Sequence, residues 1–373
     1  MIYLDNAATT AVAPEVADSM MTVLRENYGN PSSIHATGRA AAKLLRESRQ
    51  TIAKILSVRP DEILFTAGAS ESNNLALVGY ALKHRAEGNH ILTTAIEHPS
   101  VLHTVEYLRD RHGFDVTFLP PLPDGSYTAE QFSSVLRPDT LMVSVMHANN
   151  ETGQLLPVAK IGEMLRQHQA VFHVDATQTV GKIPVSPREL HADFLSASAH
   201  KFHGPKGVGI LYHRTGVTFD EQIHGGDQEE KHRAGTENLA SIVGMAKALE
   251  LSADSFDSQL TKAQQLHDNF LSALTDLQID FYKNKFGKSL PQVINIGFPG
   301  KNHDILLTKL DLAGFAISTG SACTAGTVEP SHVLEAVYGK DSPKLKENIR
   351  ISLSDDTTQE ELSELATTLK GIL

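Results

Sequence analysis

The chain has 373 residues, 41% hydrophobic and 21% charged, a composition that excludes a disordered or fibrous protein and allows two packed domains. A formal net charge of -11 with no basic stripe argues against direct nucleic-acid binding. No run of about 18 apolar residues is present to span a membrane; the start, Met1-Ile2-Tyr3-Leu4-Asp5, lacks a basic, apolar leader, and one cysteine cannot form an internal disulfide, so the expected location is the reducing cytoplasm.

Pro14 takes the place of a first helical turn, ahead of Val16, Met20 and Leu24 at helical spacing. Short β-rich runs then alternate with helical patterns. Residues 63–65 read as a strand, followed by the small-residue loop Thr66-Ala67-Gly68-Ala69-Ser70 and a helix carrying Leu75, Leu77, Val78 and Leu82. Further strands are expected at 91–93, 116–119, 141–146, 171–174, 194–196 and 209–211, with helices between several of them, as at 158–167. This alternation predicts an α/β fold with a mostly parallel sheet covered on both faces. After about residue 237 the texture changes. Helices at 237–251 and 257–274 precede strands at 279–282 and 293–296, a helix near 304–312, strands at 316–318 and 349–353, and a last helix at 359–369. A smaller C-terminal α/β domain is expected there. No internal repeat or low-complexity stretch interrupts the pattern.

Four segments have the residue types for chemistry. Ser196-Ala197-Ser198-Ala199-His200-Lys201 puts a lysine at the end of an apolar strand, ahead of Gly204-Pro205-Lys206-Gly207. Strand ends of an α/β sheet open onto the ligand crevice, where a partly desolvated lysine amine can form a Schiff base; a surface lysine beside a turn is the plain alternative. His173-Val174-Asp175-Ala176-Thr177-Gln178 closes another strand with an aspartate, fit either to pair with a protonated ring nitrogen or to cap the next helix. The loop 66–72 leaves backbone N–H groups open to a phosphate at a helix start, although the nucleotide P-loop pattern is missing. Finally, Cys323 lies in Ser318-Thr319-Gly320-Ser321-Ala322-Cys323-Thr324-Ala325-Gly326, among small residues that suit an accessible, reactive thiol better than a buried one. Eighteen histidines raise the question of a metal, but there is no HExxH pair and no thiolate cluster, so no metal site is expected.

Together these segments closely resemble the cysteine desulfurases, fold-type I pyridoxal 5'-phosphate (PLP) enzymes of the class V aminotransferase group. The resemblance runs from Tyr3-Leu4-Asp5-Asn6-Ala7-Ala8-Thr9-Thr10 to Arg350. Its markers include Gly29-Asn30-Pro31-Ser32-Ser33, the loop 68–73, Glu97-His98, His147-Ala148-Asn149-Asn150-Glu151-Thr152-Gly153 and Arg233-Ala234-Gly235-Thr236-Glu237-Asn238. It implies a large PLP-binding domain at 13–250 and a small domain made of 1–12 and 251–373 that carries the cysteine loop. It implies that Lys201 holds PLP and moves the Cα proton, that His98 stacks on the ring and assists, and that Asp175 pairs with the ring nitrogen. Gln178 is expected at the ring hydroxyl, Asn150 beside the ring, and Ala69, Ser70, Ser198 and His200 at the phosphate. Thr236 is expected to reach the phosphate of a neighbouring subunit, which implies a homodimer. Asn30 and Arg350 are expected to hold the substrate carboxylate.

The implied reaction converts L-cysteine to L-alanine and leaves a persulfide on Cys323. A sulfur-acceptor protein, either an iron–sulfur scaffold or a tRNA sulfurtransferase, would then take the sulfur. Ser321-Ala322-Cys323-Thr324 matches the long-loop, group I branch. Selenocysteine lyase and class V aminotransferase are the alternatives on the same fold. Ser354-Asp355-Asp356 is more acidic than the family's usual turn, and the chain stops at Leu373, so docking of a scaffold by a longer tail is not expected.

Overall fold

The computed structural model describes residues 1–320 and 330–373. The chain opens with a short strand, β1 (Ile2–Tyr3), and two helices, α1 (Pro14–Glu26) and α2 (Ala36–Ile55). Pro14 does occupy the first turn of α1. The long helix α2 has no counterpart in the sequence reading. Its buried residues are Gly38, Ala41, Ser48, Ile52 and Ala53, and Leu45 and Ile55 pack against the core beside them, so its apolar face is present in the sequence but was not recognised there.

Next come β2 (Ile63–Thr66), α3 (Ala69–Lys83), β3 (His90–Thr94), α4 (Pro99–His112), β4 (Asp115–Leu119), α5 (Ala129–Val135) and β5 (Thr140–Met146). They are followed by α6 (Val158–Leu165), β6 (Val171–Asp175), β7 (Phe194–Ser198) and β8 (Gly209–His213). Among the described residues these strands form one sheet in the order β2, β8, β7, β6, β5, β3, β4. Only β8 runs against its neighbours, so β2 and β4 to β7 share one direction with β3. The strands β5, β6 and β7 are buried along their whole length, which is why they read as apolar runs without alternation.

Two long helices then follow. Helix α7 (Leu239–Ala253) is rich in small residues and packs on α1 and α2, whereas α8 (Phe256–Asp276) is amphipathic. The last part contains β9 (Tyr282–Lys283), β10 (Val293–Gly297), α9 (His303–Leu312), β11 (Phe315–Ala316), α10 (His332–Tyr338), β12 (Asn348–Ser352) and α11 (Gln359–Ile372). Strands β12, β10 and β9 form an antiparallel sheet, and β1 pairs with β11. The strand expected at 279–282 shrinks to β9, because Ile279 N donates to Leu274 O (3.0 Å) in the turn that ends α8.

This last part has its own core of Leu4, Phe270, Ile294, Ile296, Phe315, Ile351 and Leu365, distinct from the cores around the large sheet. Each such side chain, fully buried, contributes about 1.5–3 kcal/mol. Leu4 belongs to this core although it begins the chain, and Asp5 bridges to Ser352. The N-terminal segment therefore lies between the two cores and brings residues 7–9 to the sheet edge.

Candidate active site

Parallel strands deliver their C-terminal residues to one edge of a sheet. Here β5, β6 and β7 end at Met146, Asp175 and Ser198, and a cavity of about 520 Å³ opens beside all three. One wall is the start of α3. Gly68 precedes that helix at φ 153°, and a Cβ placed on Gly209 would come within 2.7 Å of its Cα. The close approach of β8 thus demands glycine at 209, while at 68 it is the positive φ that favours glycine. Ser72 Oγ donates to Ile210 O (2.8 Å), which ties the loop to β8 and leaves the first-turn N–H groups of α3 facing the cavity edge.

Asp175 is 5% exposed. Its Oδ1 accepts from Thr177 N (3.0 Å) and its Oδ2 from Asn73 Nδ2 (2.9 Å). Asn73 Nδ2 also donates to Ser100 Oγ (2.9 Å), and Ser100 Oγ lies 2.8 Å from His98 Nδ1. His98 caps α4, with Nδ1 accepting from Ser100 N at 3.1 Å. An accepting Nδ1 places the neutral ring's proton on Nε2. Burial holds His98 below the usual histidine range, so the neutral ring is the form to expect.

Lys201 follows β7 on a single turn of 3-10 helix. Its Nζ donates to Ala7 O and to Ala8 O, both at 2.8 Å. Gln178 Nε2 donates to Ala7 O (3.0 Å), and Gln178 Oε1 accepts from Lys182 Nζ (2.9 Å). Burial, with Lys201 and Arg350 nearby, lowers Lys182 to about 7. His200 is lowered to about 4, first by burial and then by Lys201, Lys206 and Lys182. Arg350, on β12, is 2% exposed; its Nη2 reaches Asp5 Oδ1 (2.7 Å) and Ser318 Oγ (2.8 Å), and its Nη1 donates to Asn150 O (3.1 Å).

The single cavity therefore gathers Ala69, Ser70, His98, Asn150, Asp175, Gln178, Ser198, His200, Lys201 and Arg350. Asn30 and Thr236 do not line it. Asn30 is exposed, and its Oδ1 accepts from Ser32 N (2.9 Å). Thr236 is exposed on a segment held to α3 by Arg233 Nε and Glu71 Oε1 (2.8 Å). Cys323 lies outside the described residues.

The sequence reading missed Lys206, Thr177, Ser100 and the carbonyls of Ala7 and Ala8 as parts of the site. Lys206, Thr177, Ala7 and Ala8 stand inside the segments it quoted, so nearness to a marked residue was the available signal. Other histidines serve the sheet. His173 bonds Ser144 Oγ (2.8 Å) and Ser196 Oγ (3.0 Å), which uses both ring nitrogens. Among the described residues no group of three His, Cys, Asp or Glu is arranged to hold a metal ion, and no helix is long and apolar enough to cross a membrane.

The family model described as Aminotransferase class-V matches residues 2–365. The chain is 44% identical over 366 residues to the putative cysteine desulfurase IscS 1 of Bacillus subtilis (strain 168), covering 98% of this chain and 96% of that protein. It is 42% identical to the cysteine desulfurase IscS of Dictyoglomus turgidum, across 100% of this chain and 94% of that one. Among solved structures, a NifS-like protein superposes with a TM-score of 0.92 at 37% identity, covering 100% of this chain and 98% of the other.

Proposed function

The chain belongs to the class-V aminotransferase family and, within it, to the cysteine desulfurases, and from that premise we propose that it binds PLP in the cavity and moves sulfur from L-cysteine to Cys323. The observation that carries this reading is that Lys201, Asp175, His98 and the start of α3 meet around one cavity. Its polarity suits a phosphorylated pyridine. The helix start, Ser198 and His200 offer donors for a phosphate, and the Asp175 carboxylate lines the same cavity at the end of β6. Two buried polar atoms of lining residues, Thr177 Oγ1 and Arg350 Nε, have no hydrogen-bond partner among the described residues, as expected where a polar ligand completes the site.

Bound PLP supplies an electron sink for the electrons released when a substrate Cα proton leaves. Lys201 holds the cofactor through Nζ and carries that proton, which requires it to leave the carbonyls of Ala7 and Ala8. Asp175 keeps a proton on the ring nitrogen, and Asn73 and Thr177 N keep the carboxylate oriented for it. His98 would stack on the cofactor ring and offer Nε2 for proton transfer. Gln178 serves the ring hydroxyl and Asn150 orients the ring; Ala69, Ser70, Ser198 and His200 take the phosphate, with Thr236 arriving from the neighbouring subunit of a homodimer. Arg350 would hold the substrate carboxylate; Asn30, given the same role by the resemblance, does not line this chain's cavity. Cys323 would attack the substrate sulfur as thiolate; the Cβ–S bond breaks with its electron pair going to Cβ, which takes up one proton in place of the one the thiol gave up, so that L-alanine and a Cys323 persulfide result.

Residues 13–250 are assigned to the large domain, and 1–12 with 251–373 to the small one, a division supported by their separate hydrophobic cores. The cytoplasm is the proposed location. An acceptor protein, either an iron–sulfur scaffold or a tRNA sulfurtransferase, is the proposed recipient of the sulfur. The test is single-turnover desulfuration of L-cysteine by the PLP-loaded protein, comparing wild type with Cys323→Ser. Alanine and protein-bound persulfide are expected from wild type, and no persulfide from the variant. Equal turnover of another amino donor by both proteins would make this an aminotransferase. Activity confined to L-selenocysteine would make it a selenocysteine lyase.

A further inference from the structure

Lys182 is a half-buried lysine that the proposed chemistry leaves unused. It does not line the cavity, so it is no rival to Lys201 for the cofactor. It stands four residues after Gln178, in the turn that follows β6. The backbone of that turn is held: Thr179 N and Val180 N both donate to Ala176 O (2.9 Å), and Lys182 N donates to Thr179 O (3.0 Å). Lys182 Nζ donates to Gln178 Oε1 (2.9 Å). At its other atom the same amide donates from Nε2 to Ala7 O (3.0 Å). Ala7 is fixed in turn, because its N–H donates to Ser352 Oγ (2.9 Å) at the end of β12.

A backbone carbonyl such as Ala7 O can only accept, and a lysine amine, charged or neutral, has an N–H to give. The two partners therefore fix the amide, with its nitrogen toward Ala7 and its oxygen toward Lys182. An amide nitrogen has two protons, and the one not given to Ala7 remains for the cavity that Gln178 lines. At this point the site meets a ligand with a donor and never with an acceptor. Donation into Oε1 also polarises the amide, which strengthens the remaining N–H as a donor. We propose that Lys182 is a positioning residue that acts through Gln178, holding its amide so that an N–H faces the ring hydroxyl of the bound cofactor and favours the ionised oxygen there. The charged groups that face Lys182 are Lys201, Arg350 and the Asp355 carboxylate of the acidic turn after β12, and Asp355 favours the charged amine. Asp355 is itself faced by His203, Asp356 and Lys262. The inference rests on the reading that PLP occupies the cavity with its hydroxyl at Gln178.

The test is a pH titration of the absorbance of the bound cofactor, in the PLP-loaded enzyme and its variants. A ring oxygen that receives a donor is a weaker base and holds the chromophore's proton less tightly, so loss of the donor raises the midpoint. Lys182→Met is expected to raise it by about half a pH unit or more. Lys182→Arg, which keeps an N–H for Oε1, is expected to return most of that shift. Gln178→Met is expected to raise the midpoint as well, and in that background Lys182→Met adds little, because its effect runs through the amide. A wild-type midpoint in Lys182→Met overturns the inference, even where PLP affinity or stability in urea has fallen, since packing alone would do that. Full additivity of the two substitutions also overturns it, by marking a charge that acts on the cofactor directly. Gln178→Met leaves Lys182 in place and tests the relay even if Lys182→Met does not fold: an unshifted midpoint there is equally fatal. Wild type that binds no PLP, with no visible band to titrate, would instead defeat the reading of the cavity, and the inference with it.

Discussion

Glu97 stands beside His98 with its carboxyl fully enclosed, and burial pushes it up to about 8. Its Oε1 accepts from Thr94 Oγ1 (2.6 Å) and Met146 N (3.0 Å), while Oε2 has no partner among the described residues. At neutral pH the folded protein therefore holds Glu97 as the acid, whereas the unfolded chain ionises it near the ordinary value of 4.5. The folded state binds the extra proton between those values, so this contribution to stability is full below about pH 4.5 and is lost as pH rises through about 8. Glu97→Gln, neutral at every pH, should escape the loss. Urea unfolding at pH 5 and pH 8.5 should show the wild type losing stability relative to the variant, on the order of 1 kcal/mol per pH unit within that window. An unchanged difference would mean that Glu97 is ionised in the fold. Neither the burial nor the missing partner is visible in the pair Glu97-His98 as sequence, because both come from β5 packing across it.

Strand β8 decides the shape of the phosphate end of the cavity. It runs antiparallel between β2 and β7, and Gly209 pairs with Thr66 on one side and Ser198 on the other. A Cβ at Gly209 would lie 2.6 Å from Ala197 O and 2.7 Å from Gly68 Cα. Gly209→Ala should therefore push the loop before α3 outward and weaken PLP binding by about tenfold, with a smaller cost to overall stability, since one close contact rather than the core is disturbed. Equilibrium titration of the variant with PLP checks this, and wild-type affinity would refute it. At this scale the strands were readable because Val, Ile and Leu runs persist wherever both faces are buried. Helix α2 was not read although its apolar residues gather on one face; most of the residues it buries are the small Gly38, Ala41, Ser48 and Ala53. Lys201 and Asp175 were readable as strand-end residues, but their meeting at one cavity depends on the order β7, β6 in the sheet, which local patterns do not contain.

The whole molecule is braced by pairs distant in sequence. Arg49 on α2 grips Glu229 with Nη1 to Oε2 at 2.9 Å and Nη2 to Oε1 at 2.6 Å, and Glu229 Oε2 also accepts from Phe65 N (2.9 Å). Glu229, Glu230 and Lys231 adopt φ of 46°, 56° and 71°, a left-handed run that costs on the order of 1 kcal/mol per residue and persists only if its surroundings enforce it. Arg49→Ala leaves the Glu229 carboxylate, 3% exposed, without its cation, and should destabilise the fold by about 3 kcal/mol in urea unfolding. A change below about 0.5 kcal/mol would show that the pair does not hold the segment. That segment leads through Arg233 to Thr236 and leaves Thr236 exposed, away from its own chain's cavity, in keeping with the proposed role in a neighbouring subunit.

The sequence alone determined the α/β class, most strands of the large sheet, and the residue types of the site, because strand burial and strand-end chemistry are written in short stretches. The tertiary structure alone decided which of those residues share a cavity, that Lys201 rests on the carbonyls of Ala7 and Ala8, and that Glu151 meets both Gly320 and Ser331. The reason is physical: a local pattern encodes which face of an element seeks burial, whereas the Lys201 and Glu151 contacts join residues 169 to 194 positions apart and exist only once the two cores have packed.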